Sequence, residues 1–161
     1  MEFIGEYRFS ASALEVWLAL NDPEVLKQTI PGCHAMERVT ATDYAGQLKV
    51  DLGLFKAGFS GTIRLSELDP PTNYRITVEA TAVLVGTASG TAKVRLIDEP
   101  AGAVLHYQAE TALGGRLAKF GAKLMHGTAT RYANKFFARF AEAMAQRNVV
   151  GDGAIERLPP G

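Results

Sequence analysis

Between His34 and Leu113 the chain offers only strand-like segments joined by short turns, and this constrains its fold more than any other feature. The segments His34–Thr40, Asp43–Leu52, Phe55–Leu68, Tyr74–Leu84, Thr87–Ile97 and Ala103–Leu113 are broken by ATD, GL, DPPTN, VG and DEPAG. All of these breaks are turn-forming or contain glycine. Parallel strands need a long crossover, so strands with connections this short pair antiparallel as a meander. Glu2–Phe9 adds a seventh strand, with Phe3, Gly5, Tyr7 and Phe9 on one face and Glu2, Glu6 and Arg8 on the other.

Two short helices follow that first strand. Ser12 with Glu15 three residues later is a capping box, and Leu14, Trp17 and Leu18 follow at helical spacing. Asp22 caps the next helix, with Pro23 at its first position. The pair stops at IPGC, Ile30 to Cys33, because Pro31 and Gly32 cannot continue a helix. After Gly114-Gly115 a long helix is expected from about Arg116 to Gln146, with Leu117, Leu124, Met125, Tyr132, Phe136 and Phe140 on one stripe. An antiparallel sheet with one apolar face needs a cover, and only this helix is long enough. The expected fold is α+β: a curved seven-stranded antiparallel sheet gripping a C-terminal helix. Residues 1–147 would form one domain and 148–161, rich in Gly and Pro, a flexible tail.

The inward face of that sheet is unusual. Val78, Ala80, Ala82 and Leu84 lead into Ala88, Gly90, Ala92, Val94 and Leu96. Other strands contribute Tyr44, Gly46, Leu48 and Val50, then Phe55, Ala57, Phe59, Gly61, Ile63 and Leu65, then Ala103, Leu105, Tyr107, Ala109, Thr111 and Leu113. Small residues recur in the middle of several strands. Cores normally fill to crystal-like density. Two readings stand: small residues let the helix lie close to the sheet, or they line an internal cavity suited to an apolar ligand. In the second, Leu124, Met125, Tyr132 and Phe136 face the cavity from the helix. Tyr44, Tyr107, Thr111 and Tyr132 then supply the few polar contacts.

Signals for catalysis are poor. His34, His106 and His126 are scattered, and no HExxH occurs. GTASG and GGRLAKFG lack the spacing of phosphate loops. Cys33 and His34 are strand neighbours pointing to opposite faces, so they make no nucleophile–base pair. A single cysteine permits no internal disulfide, which suits a reducing, cytoplasmic setting. No metal site is expected. Seventeen basic and seventeen acidic residues leave no net charge, which argues against nucleic acid as partner. The N-terminal stretch carries acids and does not read as a signal peptide. Two surface features stand out: Arg116, Lys119 and Lys123 on one face at the start of the long helix, and Leu52, Leu54 and Phe55 at a hairpin tip. The basic residues form either an ordinary solvated stripe or a docking patch for anionic lipid or an acidic protein, and the hairpin tip either caps the cavity mouth or is exposed for contact.

Four stretches together, VWLALNDPEVLKQTIPGC, KAGFSGTIRL, ASGTAKVRL and GGRLAKFGAKLMHGTATRYANKFFARF, resemble the carbon monoxide dehydrogenase G-subunit family, within the START-like helix-grip superfamily. The resemblance covers about Met1 to Ala145. It implies a helix-grip fold around an apolar cavity, with the Ile30–Cys33 turn near its mouth. It also implies a non-catalytic accessory of a molybdenum hydroxylase. Such an accessory would bind a lipophilic quinone or other lipid non-covalently and link the enzyme to the membrane quinone pool. It would sit in the cytoplasm or peripherally at the inner face of the membrane. Family members that attach to membranes often carry a longer C-terminal extension than this chain, so transient contact is expected. The alternatives are a recruitment or assembly factor with an incidental cavity, or a polyketide cyclase/aromatase-like enzyme.

Overall fold

The computed structural model of the chain describes residues 2–53, 55–120 and 122–157, with the side chains of residues 120, 122–125 and 147–157 outside that description. Strand β1 (Glu2–Phe9) leads into helices α1 (Ala13–Leu20) and α2 (Pro23–Thr29). Six strands follow: β2 (Cys33–Arg38), β3 (Asp43–Asp51), β4 (Lys56–Asp69), β5 (Asn73–Ala82), β6 (Gly86–Glu99) and β7 (Gly102–Gly115). They form one antiparallel sheet in the order β1-β7-β6-β5-β4-β3-β2. A 3-10 turn (Arg116–Phe120) and helix α3 (Ala122–Arg157) complete the chain. This is the helix-grip arrangement that the alternation and short turns predict.

The local rules hold at both short helices. Ser12 Oγ accepts from Glu15 N at 3.2 Å, and the Asp22 carboxylate accepts from Glu24 N at 2.9 Å. Past α2, Gly32 adopts a φ of 77°, and a Cβ there would lie 2.0 Å from the Lys49 carbonyl. Only glycine fits this left-handed, tightly abutted position. The turn is then tied to the sheet by Lys49 N donating to Gly32 O at 3.0 Å.

One predicted element divides. The helix expected from Arg116 through Gln146 is a separate 3-10 turn followed by α3. Leu117 N donates to Val85 O at 3.1 Å, which pins the 3-10 turn to the β5–β6 hairpin. Leu117 is therefore buried against the sheet and does not belong to a stripe on α3. Arg116 and Lys119 likewise do not share a helix with Lys123, so the expected basic stripe is not one helical face. α3 also continues to Arg157, across most of the stretch expected to be a flexible tail; residues 158–161 lie outside the description.

Two buried clusters close the inner face. At the capped end, where the β4–β5 and β6–β7 turns lie, α1 and α2 bury Val16, Ala19, Val25 and Leu26 against Tyr44, Leu65, Tyr74, Val94 and Leu96, with Phe140 and Met144 from α3. At the opposite, tip end, Leu52, Ala57, Phe59, Ala82 and Leu117 form a smaller cluster. α3 runs beside α2. Ring contacts hold it to β1: Phe137 stacks on Tyr7 at 3.8 Å between centroids, and Phe140 meets Phe9 edge-on at 5.4 Å. Tyr7 Oη donates to Asn134 Oδ1 at 3.0 Å, and further towards the start of α3 His126 stacks on Phe3 at 4.8 Å.

Candidate functional site

Between the two clusters lies a band of small, half-buried residues. Strand register places them together: Gly61 opposite Gly46 and Ala80, Ala80 opposite Ala88, Gly90 opposite Val78 and Thr111, and Ala92 opposite Ala109. None of these is fully buried. A Cβ placed on Gly90 would meet only Glu110 O at 3.2 Å and Thr111 Cγ2 at 3.5 Å, both on the adjacent strand. No described atom of α3 reaches within 4 Å of it. Gly127, half-buried on α3, would likewise meet nothing within 4 Å. At Gly90, then, smallness does not serve close approach of a described part of the helix.

Other small positions do serve packing. A Cβ on Gly46 would strike Met36 Cε at 2.8 Å, so the Met36 side chain already occupies that space. At Gly61 it would lie 2.8 Å from the Glu79 carbonyl. Gly46 and Gly61 also border a depression of about 670 Å³ on the outer face of β2–β5, since a residue without Cβ lines both faces. Ala57, Phe59 and Ala82 are buried within the tip-end cluster. Ala80 and Ala88 pack against the same cluster, and Tyr107 and Phe136 against the capped-end one, so the positions left between the two are Gly90, Ala92, Ala109 and Thr111.

The four polar candidates separate. Tyr44 is only 2% exposed, and its hydroxyl donates to Asn21 O at 2.9 Å in the α1–α2 link. Its role is closure of the capped end, with Arg38 over its ring at 5.3 Å. Tyr132 donates to Pro31 O and so fastens α3 to the IPGC turn. Burial, and secondarily the nearby Cys33, pushes the Tyr132 hydroxyl up to about 12. Thr111 is half-buried beside Gly90 and already has an interaction partner. Tyr107 lies across Gly5 and stacks with Phe137 at 5.7 Å. Burial raises its pKa, and its hydroxyl forms no hydrogen bond with a described residue. Of the four, Tyr107 is the one whose hydrogen-bonding capacity remains available to a ligand.

Leu124, Met125 and Lys123, as side chains, and Leu54 altogether fall outside the described residues. The other tip residues diverge: Leu52 is buried in the tip-end cluster, whereas Phe55 is 39% exposed. Leu84, expected on the inner face, sits in the β5–β6 turn at 83% exposure with a φ of 66°. Val83 beside it is 82% exposed. The signal was present in AVLVG, where three apolar residues cross a turn; alternation cannot continue once the chain reverses. Sequence reasoning also missed Phe137 and Asn134, which lie off the chosen stripe yet bind β1.

Among the described residues nothing resembles a reaction centre. Burial raises the Cys33 thiol, and Cys33 Sγ donates to Ala35 O at 3.2 Å, so it is not an activated nucleophile. No group of His, Cys, Asp and Glu among the described residues is arranged to hold a metal. No described helix is long and apolar enough to cross a membrane.

The sheet, the clasped helix and the small-residue band define a helix-grip protein with an apolar inner face. Residues 5–145 match the carbon monoxide dehydrogenase G-subunit family (CoxG), and the chain belongs to that family. Among solved structures it is similar to a conserved protein from Geobacillus kaustophilus, at 22% identity over 91% of this chain and 96% of that one, with a TM-score of 0.84. It is also similar to a protein from Mycobacterium smegmatis, at 12% identity over 91% and 92%, with a TM-score of 0.69. A third is the Zhui aromatase/cyclase from a Streptomyces species, at 17% identity over 91% and 94%, with a TM-score of 0.65. These likenesses establish the fold. No curated protein matches.

Proposed function

We propose that this protein is a non-catalytic lipid carrier that holds a quinone between sheet and helix. It serves as accessory to a molybdenum hydroxylase of the carbon monoxide dehydrogenase type, linking that enzyme to the membrane quinone pool. The observation that carries the reading is the split core. Two closed clusters flank a band in which Gly90, Ala92, Ala109 and Thr111 stay half-buried, and no described atom of α3 approaches Gly90. Apolar walls with one available polar group are what a lipophilic ring-and-tail ligand needs. In this reading Tyr107 Oη donates to a quinone carbonyl, while the prenyl tail lies along Ala92 and Ala109. Family membership supports the choice of enzyme partner.

The test uses the single tryptophan, Trp17, half-buried against the capped-end cluster. A short-tailed, water-soluble quinone is expected to quench its fluorescence saturably. Gly90→Leu and, separately, Ala109→Leu should abolish saturation while near-ultraviolet circular dichroism stays native. Saturable quenching that persists in both folded variants places the ligand elsewhere and sinks the reading.

A cyclase-like activity is the weaker alternative. An aromatase/cyclase has the same fold, but here the described acidic groups lie mostly on the outer face, and Cys33 is not activated.

A further inference from the structure

Val83 and Leu84 at the β5–β6 tip are, at 82% and 83%, the most exposed large apolar side chains among the described residues. Exposure alone would mean little, since single surface apolar residues are common. Here two are adjacent at one tip, and Phe55, 39% exposed, lies on the neighbouring β3–β4 turn. The backbone adds an independent observation. Leu84 has a φ of 66°, a conformation that glycine or asparagine adopts readily and leucine does not. The fold thus holds a large apolar residue where both solubility and backbone preference favour Asn or Gly. The tip is also firmly presented: Val85 N donates to Ala82 O at 3.0 Å, and Leu117 N donates to Val85 O at 3.1 Å.

Charge is distributed to match. The chain has no net charge. At the capped end acids are matched by arginines: Glu67 pairs with Arg75 at 3.5 Å and Glu99 with Arg8 at 3.5 Å. The tip end carries Lys56, Arg116 and Lys119, all exposed, and none forms an ion pair among the described residues. Asp51, opposite Lys56 in the β3–β4 register, is the acidic group beside these cations among the described residues, and its carboxylate accepts from Gly53 N at 2.8 Å. An exposed apolar point with more cations than acids at the same end is complementary to a surface of anionic headgroups over acyl chains.

We infer that the tip end docks on an anionic bilayer, with Val83 and Leu84 inserted at the headgroup–acyl boundary and Lys56, Arg116 and Lys119 over the headgroups. The inference rests on the carrier reading, in which the ligand comes from a membrane, and names the surface that meets it. The orientation puts the tip-end cluster nearest the lipid and leaves the capped end towards solution.

Flotation of the full chain with vesicles tests it. The wild type should float with phosphatidylcholine–phosphatidylglycerol vesicles and weakly with phosphatidylcholine alone. The Val83→Asn/Leu84→Asn variant should lose about ten-fold or more in partitioning to both. Arg116→Glu/Lys119→Glu should remove the preference for phosphatidylglycerol. Asn accepts positive φ, so the tip variant should melt no lower than the wild type; should it fail to fold, Val83→Ser alone carries the same expectation. A folded tip variant that floats like the wild type overturns the inference. So does a wild type that ignores both vesicles, an outcome that would give the tip to a protein partner. Trp17 quenching by the short-tailed quinone, without vesicles, keeps the two readings apart. Tip variants should quench normally, and a wild type that floats but is not quenched defeats the cavity and leaves the docking intact.

Discussion

The capped end and the tip end of the same sheet solve different problems. At the capped end α1, α2 and the second half of α3 converge, and Val16, Ala19 and Phe140 show no exposure. Most polar groups there are used: Tyr44 Oη bonds Asn21 O, and Ala13 N donates to Asp98 Oδ1 at 2.8 Å, while Trp17 Nε1 is buried without a described partner. At the tip end the cluster is smaller, no described α-helical side chain joins its buried set, and the hairpins reach past it with apolar residues exposed. The difference teaches that stability is concentrated at one end, leaving the other to meet something. Between them small side chains predominate around Gly90, Ala92 and Ala109, with Val78 and Thr111 beside them, so space and stability are separated along the strands.

That contrast can be broken by measurement. The largest effect is expected at the capped end. Phe140→Ala removes a side chain that packs on Phe9 and Phe136, and should lower unfolding free energy by about 3–5 kcal/mol in urea titration. A loss below about 1 kcal/mol would mean that this end is not the stable one.

Next is the clasp between α3 and the IPGC turn. Tyr132→Phe strands the Pro31 carbonyl and should cost about 1–3 kcal/mol at neutral pH. The pH dependence has a definite sign. The Tyr132 hydroxyl titrates at about 12 when folded, against 10 as a free side chain. The folded state therefore holds its proton through a window in which the unfolded chain has lost it. Stability from this group is full below pH 10, falls as pH rises towards about 12, and is then gone. Tyr132→Phe should flatten that part of the profile of urea midpoint against pH.

Smaller still is the effect of filling the band. Gly90→Leu should change stability by less than about 1 kcal/mol, whereas a well-packed site would lose roughly 1–3. A large loss would convert the band into ordinary core. Tyr107→Phe, which removes a hydroxyl without a described partner, should leave stability nearly unchanged and weaken quinone binding by about 2- to 10-fold. Equal affinity would release Tyr107 from its role as the ligand's polar contact.

How much could be read beforehand follows from what each signal depends on. Strand alternation gave the sheet and its faces, because a period of two survives wherever a strand is straight. It failed at Leu84, where the chain had already turned. Helical periodicity placed Tyr132, Phe136 and Phe140 together but extended the stripe back to Leu117. The hydrogen bond that separates the 3-10 turn comes from Val85, and no local pattern encodes it. Smallness at Gly46, Gly61 and Gly90 looks identical in sequence. Only neighbours distinguish a glycine that accommodates Met36 from one that leaves room.

The sequence by itself determined the elements, their antiparallel order and the inner face, since these rest on residue volume, polarity and turn chemistry over a few positions. The tertiary structure decided which tyrosines were already bonded, which small residues were filled, and that Lys56, Arg116 and Lys119 come together at one end without ion pairs among the described residues. Those outcomes depend on partners far apart in sequence, such as Tyr132 with Pro31 and Tyr107 with Gly5, whose meeting is set by where α3 lies on the sheet.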